Sequence, residues 1–468
     1  MIFDNYRRAE MKKLFFLTCA IFILNFSTKV QAADKPNIII ILADDLGYGD
    51  LGGYGHPTIR TPHLDRMAAE GLRFTDFYAG NCYCTPSRAA LLTGRLPLRS
   101  GMSGRRGSHV LYPDGTGGLP AEEITMAEAL KKVGYATCAI GKWHLGYAPQ
   151  YAPTENGFDH YFGLIHSNDA NTPDTKIRNS DSLSQEPDIR NFDIPLYRGT
   201  NIVERPANQN TLTKRYTEEA IRFMEENKKK PFFIYLAHTF PHVPLFASEK
   251  FKGKSRRGRY GDTVEELDAS VGTILEWLRK EKLEKNTLVF FTSDNGPWIQ
   301  RQQNGGSPAL FRDGKGGAWE GGYRVPAIAR WTGKISEGVN HEIANAMDLF
   351  NTALNLAGAE LPKDRPMDGV DLSPVLFGKK QQVRDTQFFY YADILCAVRR
   401  GNYKAHFVTR DGYSKEEPPQ HEPPLLFNVA EDPSERFDVA SKHPEIVVEL
   451  KKIYEAHIAT VIRGKPQF

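Results

Sequence analysis

The sequence predicts an α/β fold in which a large, mostly parallel mixed sheet is flanked by helices and is followed by a smaller C-terminal region of antiparallel strands and a terminal helix. Residues 37–42 form a continuous apolar run, and residues 287–292 form a second one. Such runs are typical of strands that are buried on both faces of a parallel sheet. Between them, segments with helical periodicity alternate with shorter apolar strands, which is the pattern of a doubly wound sheet.

The remaining elements follow from periodicity and turn residues. The predicted segments are helices over residues 125–133, 212–226 and 263–279, and strands over residues 136–140 and 232–237. Residues 387–408 indicate strands with a turn at 400–402, and residues 445–461 indicate a terminal helix. Residues 168–205 are rich in turn-forming residues and predict a long surface insertion that shapes the cleft.

The length of the chain favours two units. A chain of 468 residues exceeds what one hydrophobic core usually supports. Because the composition shifts after residue 374, we predict a catalytic domain over residues 33–377 and a C-terminal subdomain over residues 378–468.

The first 32 residues have the pattern of an export signal. Lys12 and Lys13 precede an apolar run over residues 14–26, and a Val30-Gln31-Ala32 site follows. We predict cleavage after Ala32 and a periplasmic or secreted protein. A permanent membrane anchor is the alternative, but about 13 apolar residues are too few to span a bilayer comfortably. We therefore expect no stable anchor.

The charge balance argues against a nucleic-acid partner. The predicted signal carries five Lys/Arg and two Asp/Glu, so the exported chain would have a formal charge of zero instead of +3. Without a global basic field, nucleic-acid binding is not indicated. An anionic substrate would have to be attracted by charges focused within a cleft.

Four cysteines remain after the signal, in a compartment that permits disulfides: Cys82, Cys84, Cys138 and Cys396. Cys82 and Cys84 are one residue apart, which suits mutual bridging poorly. Pro86 fits the first turn of a helix and Gly94 fits its end, so Cys84 is predicted at a helix N-terminus, where free N–H groups favour an anion such as sulfate. Taken alone, a cysteine in this position is more often a small buried hydrophobe or half of a disulfide.

Polar oxygen donors follow both long apolar strands. Asp44 and Asp45 end the first strand, and Asp294 and Asn295 end the second. The carboxyl ends of strands form the ligand crevice of an open α/β sheet, so these residues should meet there. An all-oxygen set suits a hard cation. A single Asp-Asp pair is often only a turn cap, but two pairs at two strand ends are hard to explain in that way.

Residues 84–95, with the sequence Cys-Thr-Pro-Ser-Arg-Ala-Ala-Leu-Leu-Thr-Gly-Arg, resemble the signature of the formylglycine-dependent sulfatases of the alkaline phosphatase superfamily. The resemblance extends from about Pro36 to the C-terminus and is strongest to the arylsulfatase and N-acetylgalactosamine-6-sulfatase branch. It implies that a maturation enzyme oxidises Cys84 to formylglycine (3-oxoalanine), whose hydrate is the nucleophile. It also implies a calcium ion, held by Asp44, Asp45, Asp294, Asn295 and modified Cys84.

The same resemblance implies roles for the other candidate catalytic residues. Lys142 and His144 lie in a Gly-Lys-Trp-His-Leu-Gly segment. Lys142 would bind sulfate, and His144 would act as the base that regenerates the aldehyde. Arg88 would orient the hydrate, and His242 would protonate the leaving group while contacting substrate. Lys315, among glycines, would be the second sulfate-binding lysine.

For two further polar residues the resemblance indicates a role less specifically. Ser167 matches a sulfate-contacting serine of the arylsulfatase branch, although His166 or Asn168 could reach the ligand instead, and a plain loop role is an equal alternative. His238 lies four residues before His242 and is expected to be structural.

The sequence therefore predicts a sulfuric ester hydrolase that acts on sulfated carbohydrates, with simple aryl sulfates as the alternative substrates. A phosphate or phosphonate hydrolase of the same superfamily is the nearest rival. Its two zinc sites need a Ser or Thr nucleophile and additional ligands, and Asn295 stands where those enzymes tend to have histidine. A catalytically dead binding protein is the second rival, but it should have lost at least one site residue, and none is missing.

Overall fold

Residues 35–105, 107–171 and 175–468 are described by a computed structural model. The predicted export signal and its cleavage site after Ala32 lie outside these residues. None of the helices in the described ranges is both long and apolar enough to cross a lipid bilayer. Residues 36–468 form one compact unit.

The strands of the described residues, numbered along the chain, form three sheets. They are β1 (Asn37–Ala43), β2 (Leu72–Phe74), β3 (Phe77–Tyr78), β4 (Ala136–Gly141), β5 (His160–Gly163), β6 (Leu196–Arg198), β7 (Asn201–Glu204), β8 (Phe232–Ala237), β9 (Thr287–Ser293), β10 (Ala327–Arg330), β11 (Gly338–Asn340), β12 (Ala344–Asn345), β13 (Thr386–Tyr391), β14 (Ile394–Arg400), β15 (Tyr403–Val408) and β16 (Gln420–Asn428).

The large sheet has ten strands in the order β11-β2-β10-β9-β1-β8-β4-β5-β6-β7. Its centre, from β9 to β5, is parallel. Antiparallel pairs extend it on both sides, through β10 with β9 and β2, and through β6 with β5 and β7. The sheet is therefore mixed, with a mostly parallel core, as the sequence predicts. Strands β3 and β12 form a separate parallel pair.

The helices lie between these strands and after them. They are α1 (Pro62–Ala69), α2 (Cys84–Thr93), α3 (Met126–Lys132), α4 (Thr175–Leu183), α5 (Leu212–Asn227), α6 (Gly258–Lys280), α7 (Glu320–Tyr323), α8 (Asp348–Ala357), α9 (Ser373–Leu376) and α10 (Pro444–Thr460). The predicted helices over 125–133, 212–226, 263–279 and 445–461 correspond to α3, α5, α6 and α10.

The side chains of the central strand β1 pack into a hydrophobic core on each face of the large sheet. Ile38, Ile40 and Leu42 pack into the hydrophobic core on one face, with Leu91 of α2. Ile39 and Ile41 pack into the core on the other face. Since side chains alternate along a strand, an uninterrupted apolar run places one row in each core.

Strands β13 to β16 form an antiparallel sheet that α10 covers. This sheet and the terminal helix confirm the predicted architecture of the C-terminal region. The domain boundary that we predict near residue 378 falls between α9 and β13. The predicted insertion over 168–205 contributes β6 and β7 to one edge of the large sheet.

Candidate active site

The donor residues at the two strand ends lie side by side. Strands β1 and β9 are parallel neighbours with Ala43 opposite Ser293, so the residues that follow leave the sheet at the same edge. The backbone N–H of Asp45 donates to Asp294 Oδ1 at 3.2 Å. Asn295 Nδ2 donates to Asp45 Oδ1 at 2.7 Å. Two segments about 250 residues apart in sequence are thus joined in one polar cluster.

Cys84 is the first residue of α2 and points into this cluster. Tyr83 is the N-cap, and Gly94 ends the helix with φ of 67°, the left-handed conformation that glycine adopts without strain. Cys84 Sγ lies 3.6 Å from Asp44 Oδ1 and 4.0 Å from Asp45 Oδ1. The sequence prediction of a helix N-terminus at Cys84 is therefore confirmed.

The cluster fits a divalent cation. One ligand atom each from Asp44, Asp45, Cys84 and Asp294 lies within 4.8 Å of the others, and all four residues are buried. Asn295 Oδ1 is also buried and finds no hydrogen-bond donor within the described residues. A buried acceptor oxygen without a donor is suited to coordinate a metal ion. Here Cys84 Sγ stands in for the oxygen that an oxidised residue would present.

Three cationic side chains surround the three carboxylates. Arg88 donates to Asp294 Oδ2 through Nε at 2.9 Å and through Nη2 at 2.7 Å. Lys142 Nζ lies 2.6 Å from Asp44 Oδ2, and Lys315 Nζ lies 2.8 Å from Asp45 Oδ1.

These six side chains are at most 4% exposed. Three negative and three positive charges balance, so a bound divalent cation would leave a net charge of +2 for an anionic substrate to neutralise.

Burial and the neighbouring charges shift the pKa values of the acidic groups in this cluster. Burial, together with the nearby charge of Asp44, raises the pKa of Asp294 to about 6. Burial would also raise the pKa of Asp44, but Lys142 and Arg88 hold it well below its ordinary value. Burial raises the pKa of the Cys84 thiol far above its ordinary value. The unmodified thiol is therefore un-ionised at neutral pH and is a poor nucleophile.

Lys142 and His144 lie in the loop after β4, which backbone contacts fix in place. Gly141 has φ of 95°, and a Cβ there would come within 1.8 Å of Ala237 O, so only glycine permits this approach. Backbone hydrogen bonds from Lys142 N to Ala237 O and from His144 N to Ile165 O continue the strand pairing. The loop is thus held between the strands on either side.

His144 has one ring nitrogen paired and one available. Its Nε2 lies 3.0 Å from Leu111 O, which can only accept, so Nε2 carries the proton. Its Nδ1 is buried and has no partner in the described ranges. Burial, with added effects from Lys142 and Arg88, lowers the pKa of His144 well below its ordinary value. The ring is neutral, with an accepting nitrogen, which is the state that a base requires.

His242 is held through its other ring nitrogen. His242 Nδ1 lies 3.1 Å from Asn168 Oδ1 and 2.5 Å from Val243 O, and both oxygens accept. Asn168 is fixed in turn by donating to Gln209 Oε1 at 3.0 Å. His242 Nε2 faces the cluster, 3.7 Å from Asp45 Oδ2. Burial and Lys315 lower the pKa of His242, and Asp45 opposes them.

Above the cluster lies a cavity of about 220 Å³ whose lining includes Cys84, His144, His242 and Lys315. Ser167 also lines it, and Lys142 Nζ donates to Ser167 Oγ at 3.3 Å. The structure thus brings together every site residue that the sequence predicts. His238 lies apart from the cavity lining, with Nε2 3.4 Å from Ser270 Oγ.

Sequence reasoning missed several aromatic and cationic residues of the cavity, among them Trp298, Tyr413 and Arg301. Trp298 and Tyr413 stack with ring centroids 4.9 Å apart. The guanidinium of Arg301 lies 3.8 Å from the Trp298 centroid, and its Nη1 donates to Ser182 Oγ at 3.0 Å. Trp298 could have been noticed because it follows Asp294 and Asn295 so closely. No local pattern marks Tyr413, which lies in the loop between β15 and β16.

Comparison with known proteins decides the family. The family model described as Sulfatase matches residues 36–359. The chain belongs to the sulfatase family. The model described as the C-terminal region of aryl-sulfatase matches residues 382–468 of this sulfatase.

Similar proteins agree along most of the chain. Arylsulfatase A of Bos taurus is 42% identical over 467 residues, covering 94% of this chain and 89% of the relative. N-acetylgalactosamine-6-sulfatase of Canis lupus familiaris is 41% identical over 478 residues, covering 93% and 88%. The solved structure of PsFucS1 sulfatase from Pseudoalteromonas sp. is 31% identical, with a TM-score of 0.81 and coverage of 92% and 91%. This sulfatase is therefore an enzyme that hydrolyses sulfate esters.

Proposed function

We propose that this sulfatase removes sulfate from carbohydrates through a formylglycine formed from Cys84, with calcium bound beside it. The observation that carries this proposal is the position of Cys84 Sγ, 3.6 Å from Asp44 Oδ1 at the start of α2. Once formed, hydrated formylglycine would supply one hydroxyl for attack on sulfur and a second whose deprotonation would expel sulfate. Conversion also explains why a thiol of raised pKa occupies the nucleophile position.

Calcium, when bound, would supply positive charge next to the nucleophile and the sulfuryl oxygens. The residues that would hold it are Asp44, Asp45, Asp294, Asn295 and modified Cys84. Carboxylate and amide oxygens suit a hard cation. Arg88 contacts Asp294 and Asp44, so it would set the positions of these two carboxylates as well as orient the hydrate.

The two lysines would exchange their carboxylate partners for the sulfuryl oxygens of the substrate. Lys142 and Lys315 pair with Asp44 and Asp45, so a divalent cation on those carboxylates would free both ammonium groups to bind sulfuryl oxygens. Ser167, in contact with Lys142, would be a further oxygen-binding group.

The two histidines would move protons at different atoms. Nδ1 of His144 would accept the proton that frees sulfate from the hydrate. Asn168 and Val243 hold a proton on Nδ1 of His242, so Nε2 is the nitrogen that takes up and releases a proton, and in the imidazolium it would donate to the leaving oxygen. An arriving sulfate anion would favour the charged imidazolium, which offsets the effect of burial on its pKa.

A carbohydrate substrate is supported by the relatives and by the size of the cavity. Relatives include N-acetylgalactosamine-6-sulfatase, and Ps i-CgsB, 29% identical with a TM-score of 0.77, was solved in complex with k-i-k-neocarrahexaose. The cavity of about 220 Å³ is small against the roughly 300–1,000 Å³ of typical ligand pockets, which suits one sugar ring next to the sulfate.

The predicted export signal, the periplasmic or secreted location, the domain boundary near residue 378 and the maturation enzyme as a partner are part of the same proposal.

The metal-ligand residues and the two lysines beside them argue against a two-metal phosphatase. The metal-ligand groups found in the described ranges share Asp44 and Cys84, so they mark one position rather than two. Lys142 and Lys315 take up space in which a second cation would lie.

The test is sulfate release by the full chain co-produced with a formylglycine-generating enzyme. Substrates are defined mono- and oligosaccharide sulfates, an aryl sulfate and the matching aryl phosphate. We expect release from at least one sugar sulfate and weak phosphate hydrolysis, with Cys84→Ala inactive but folded. Strong phosphate preference, or near-normal activity of Cys84→Ala, would contradict the proposal.

A further inference from the structure

Tyr413 connects the C-terminal sheet with the cavity. It lies in the loop between β15 and β16 and lines the space above Cys84. Of the described residues that line this cavity, it is the one that comes from beyond residue 378. Tyr413 remains 37% exposed, so a ligand in the cavity can touch it. The other polar groups around Cys84 come from the large sheet and its loops.

The backbone of Tyr413 is held in an unfavourable conformation. Its φ is 59°, which is uncommon for a residue with a bulky side chain. The N–H of Gly412 donates to Asp313 Oδ2 at 2.7 Å. Gln300 Nε2 donates to Gly412 O at 2.9 Å. Because Asp313 is two residues before Lys315, the loops of the active site themselves impose this conformation, as is common where strain serves function.

The ring of Tyr413 is fixed as firmly as its backbone. One face stacks on Trp298 with centroids 4.9 Å apart and planes 13° apart. Tyr83, which caps the helix of Cys84, meets the ring edge-on with centroids 5.8 Å apart. Lys315 Nζ lies 4.7 Å from the Trp298 centroid. The aromatic wall made by Tyr413 and Trp298 thus stands beside the sulfate-binding position.

The hydroxyl of Tyr413 is left for a ligand. No hydrogen-bond partner for it is found within the part of the chain that the structure describes. A phenolic hydroxyl that lines a cavity can both donate and accept a hydrogen bond to a ligand there. We propose that Tyr413 is a specificity-determining residue whose hydroxyl hydrogen-bonds to a hydroxyl group of the sugar that carries the sulfate, while the aromatic wall packs against the apolar face of that sugar.

A sugar sulfate meets both requirements, and a simple aryl sulfate meets only one. A pyranose offers C–H groups for the wall and hydroxyl groups for Tyr413. An aryl sulfate without ring hydroxyls can stack but has no group for the phenol to bind. The inference rests on the proposed carbohydrate substrate, and it adds which residue distinguishes sugar from aryl leaving groups.

The experiment compares Tyr413→Phe with wild type on a hexosamine sulfate and on 4-nitrophenyl sulfate. Phenylalanine keeps the stack and removes the hydroxyl. We expect the ratio of kcat/KM for the sugar to that for the aryl sulfate to fall about five- to tenfold, as for one lost hydrogen bond. Tyr403→Phe, on β15 but outside the cavity lining, is the matched control and should leave the ratio unchanged.

Monodeoxy sugar sulfates identify the bonded hydroxyl. In wild type, removal of one particular hydroxyl should lower kcat/KM by a similar factor, and in Tyr413→Phe the same removal should have little further effect. An unchanged ratio in Tyr413→Phe, whether both activities are kept or both fall by the same factor, would overturn the role of Tyr413. A wild-type enzyme that releases no sulfate from any sugar would contradict the proposed function itself, whatever the variant does.

Discussion

His242 makes the clearest kinetic prediction, because its proposed role depends on the leaving group. We consider His242→Ala, which removes the Nε2 atom that lies 3.7 Å from Asp45 Oδ2. An alkoxide leaves poorly without a proton, whereas an activated phenolate leaves well. The variant should therefore lose far more activity on sugar sulfates than on 4-nitrophenyl sulfate.

The expected loss of kcat/KM in His242→Ala differs between the two substrates because only the sugar sulfate needs a proton on its leaving oxygen. General acid catalysis contributes about 10²- to 10⁴-fold, or roughly 3–5 kcal/mol of barrier, and this should be lost on the sugar sulfate. On the aryl sulfate only a contact disappears, at about 1 kcal/mol, or less than tenfold. The ratio of the two kcat/KM values should therefore fall by at least about tenfold.

The assay is initial-rate sulfate release at fixed calcium, with His238→Ala as control. His238 is also buried, but its Nε2 faces Ser270 Oγ at 3.4 Å and not the cavity. Its loss should reduce stability and leave the substrate ratio unchanged. Equal losses on sugar and aryl sulfate in His242→Ala would refute the acid role and leave His242 as a binding residue.

Two further predictions concern metal binding and acid stability. Calcium at 100 times its Kd should stabilise the protein by about 2.7 kcal/mol in thermal unfolding. Asp45→Ala should abolish this shift, and Asp188→Ala, which removes the partner of Arg190 outside the cavity lining, should not. An equal shift in Asp45→Ala would place the metal elsewhere. Burial raises the pKa of Glu219, but hydrogen bonds from His160, Arg198 and Arg222 hold it below its ordinary 4.5, so this carboxylate stabilises the fold above that pH and less as pH falls. Glu219→Gln should lower the free energy of unfolding by about 1–2 kcal/mol at pH 7. The value is small because Arg198 and Arg222 are each more than 40% exposed. In urea titrations below pH 4.5 the difference in this free energy between variant and wild type should shrink. A difference that is constant with pH would show that packing, not charge, is lost.

Much of the active site could be predicted because its parts lie at the ends of strongly patterned elements. Asp44 and Asp294 follow long apolar strands, and neighbouring parallel strands end at one edge of a sheet. Pro86 and Gly94 mark both ends of the helix that begins at Cys84. In such cases local sequence alone determines where a side chain emerges.

Contacts made by loops far apart in sequence could not be predicted. Asn168 holds His242 from 74 residues away, and neither residue lies in a periodic segment. Tyr413 reaches the cavity from a loop that Asp313 and Gln300 fix, so its place depends on how two sheets pack. Strands β2, β6 and β7, towards the two ends of the large sheet, have three or four residues each, too few for an alternating pattern to show.

The central claim is that Cys84 is converted before it acts. Its most direct test is the mass of the Cys84 peptide from active, full-length protein, measured without alkylation and again after expression in a host that lacks the maturation enzyme. We predict a peptide about 18 Da lighter than the thiol form in the active sample, because an aldehyde replaces the thiol, and the thiol mass in a folded but inactive protein from the second host. Full sulfatase activity from protein whose Cys84 peptide carries only the thiol mass would contradict the account.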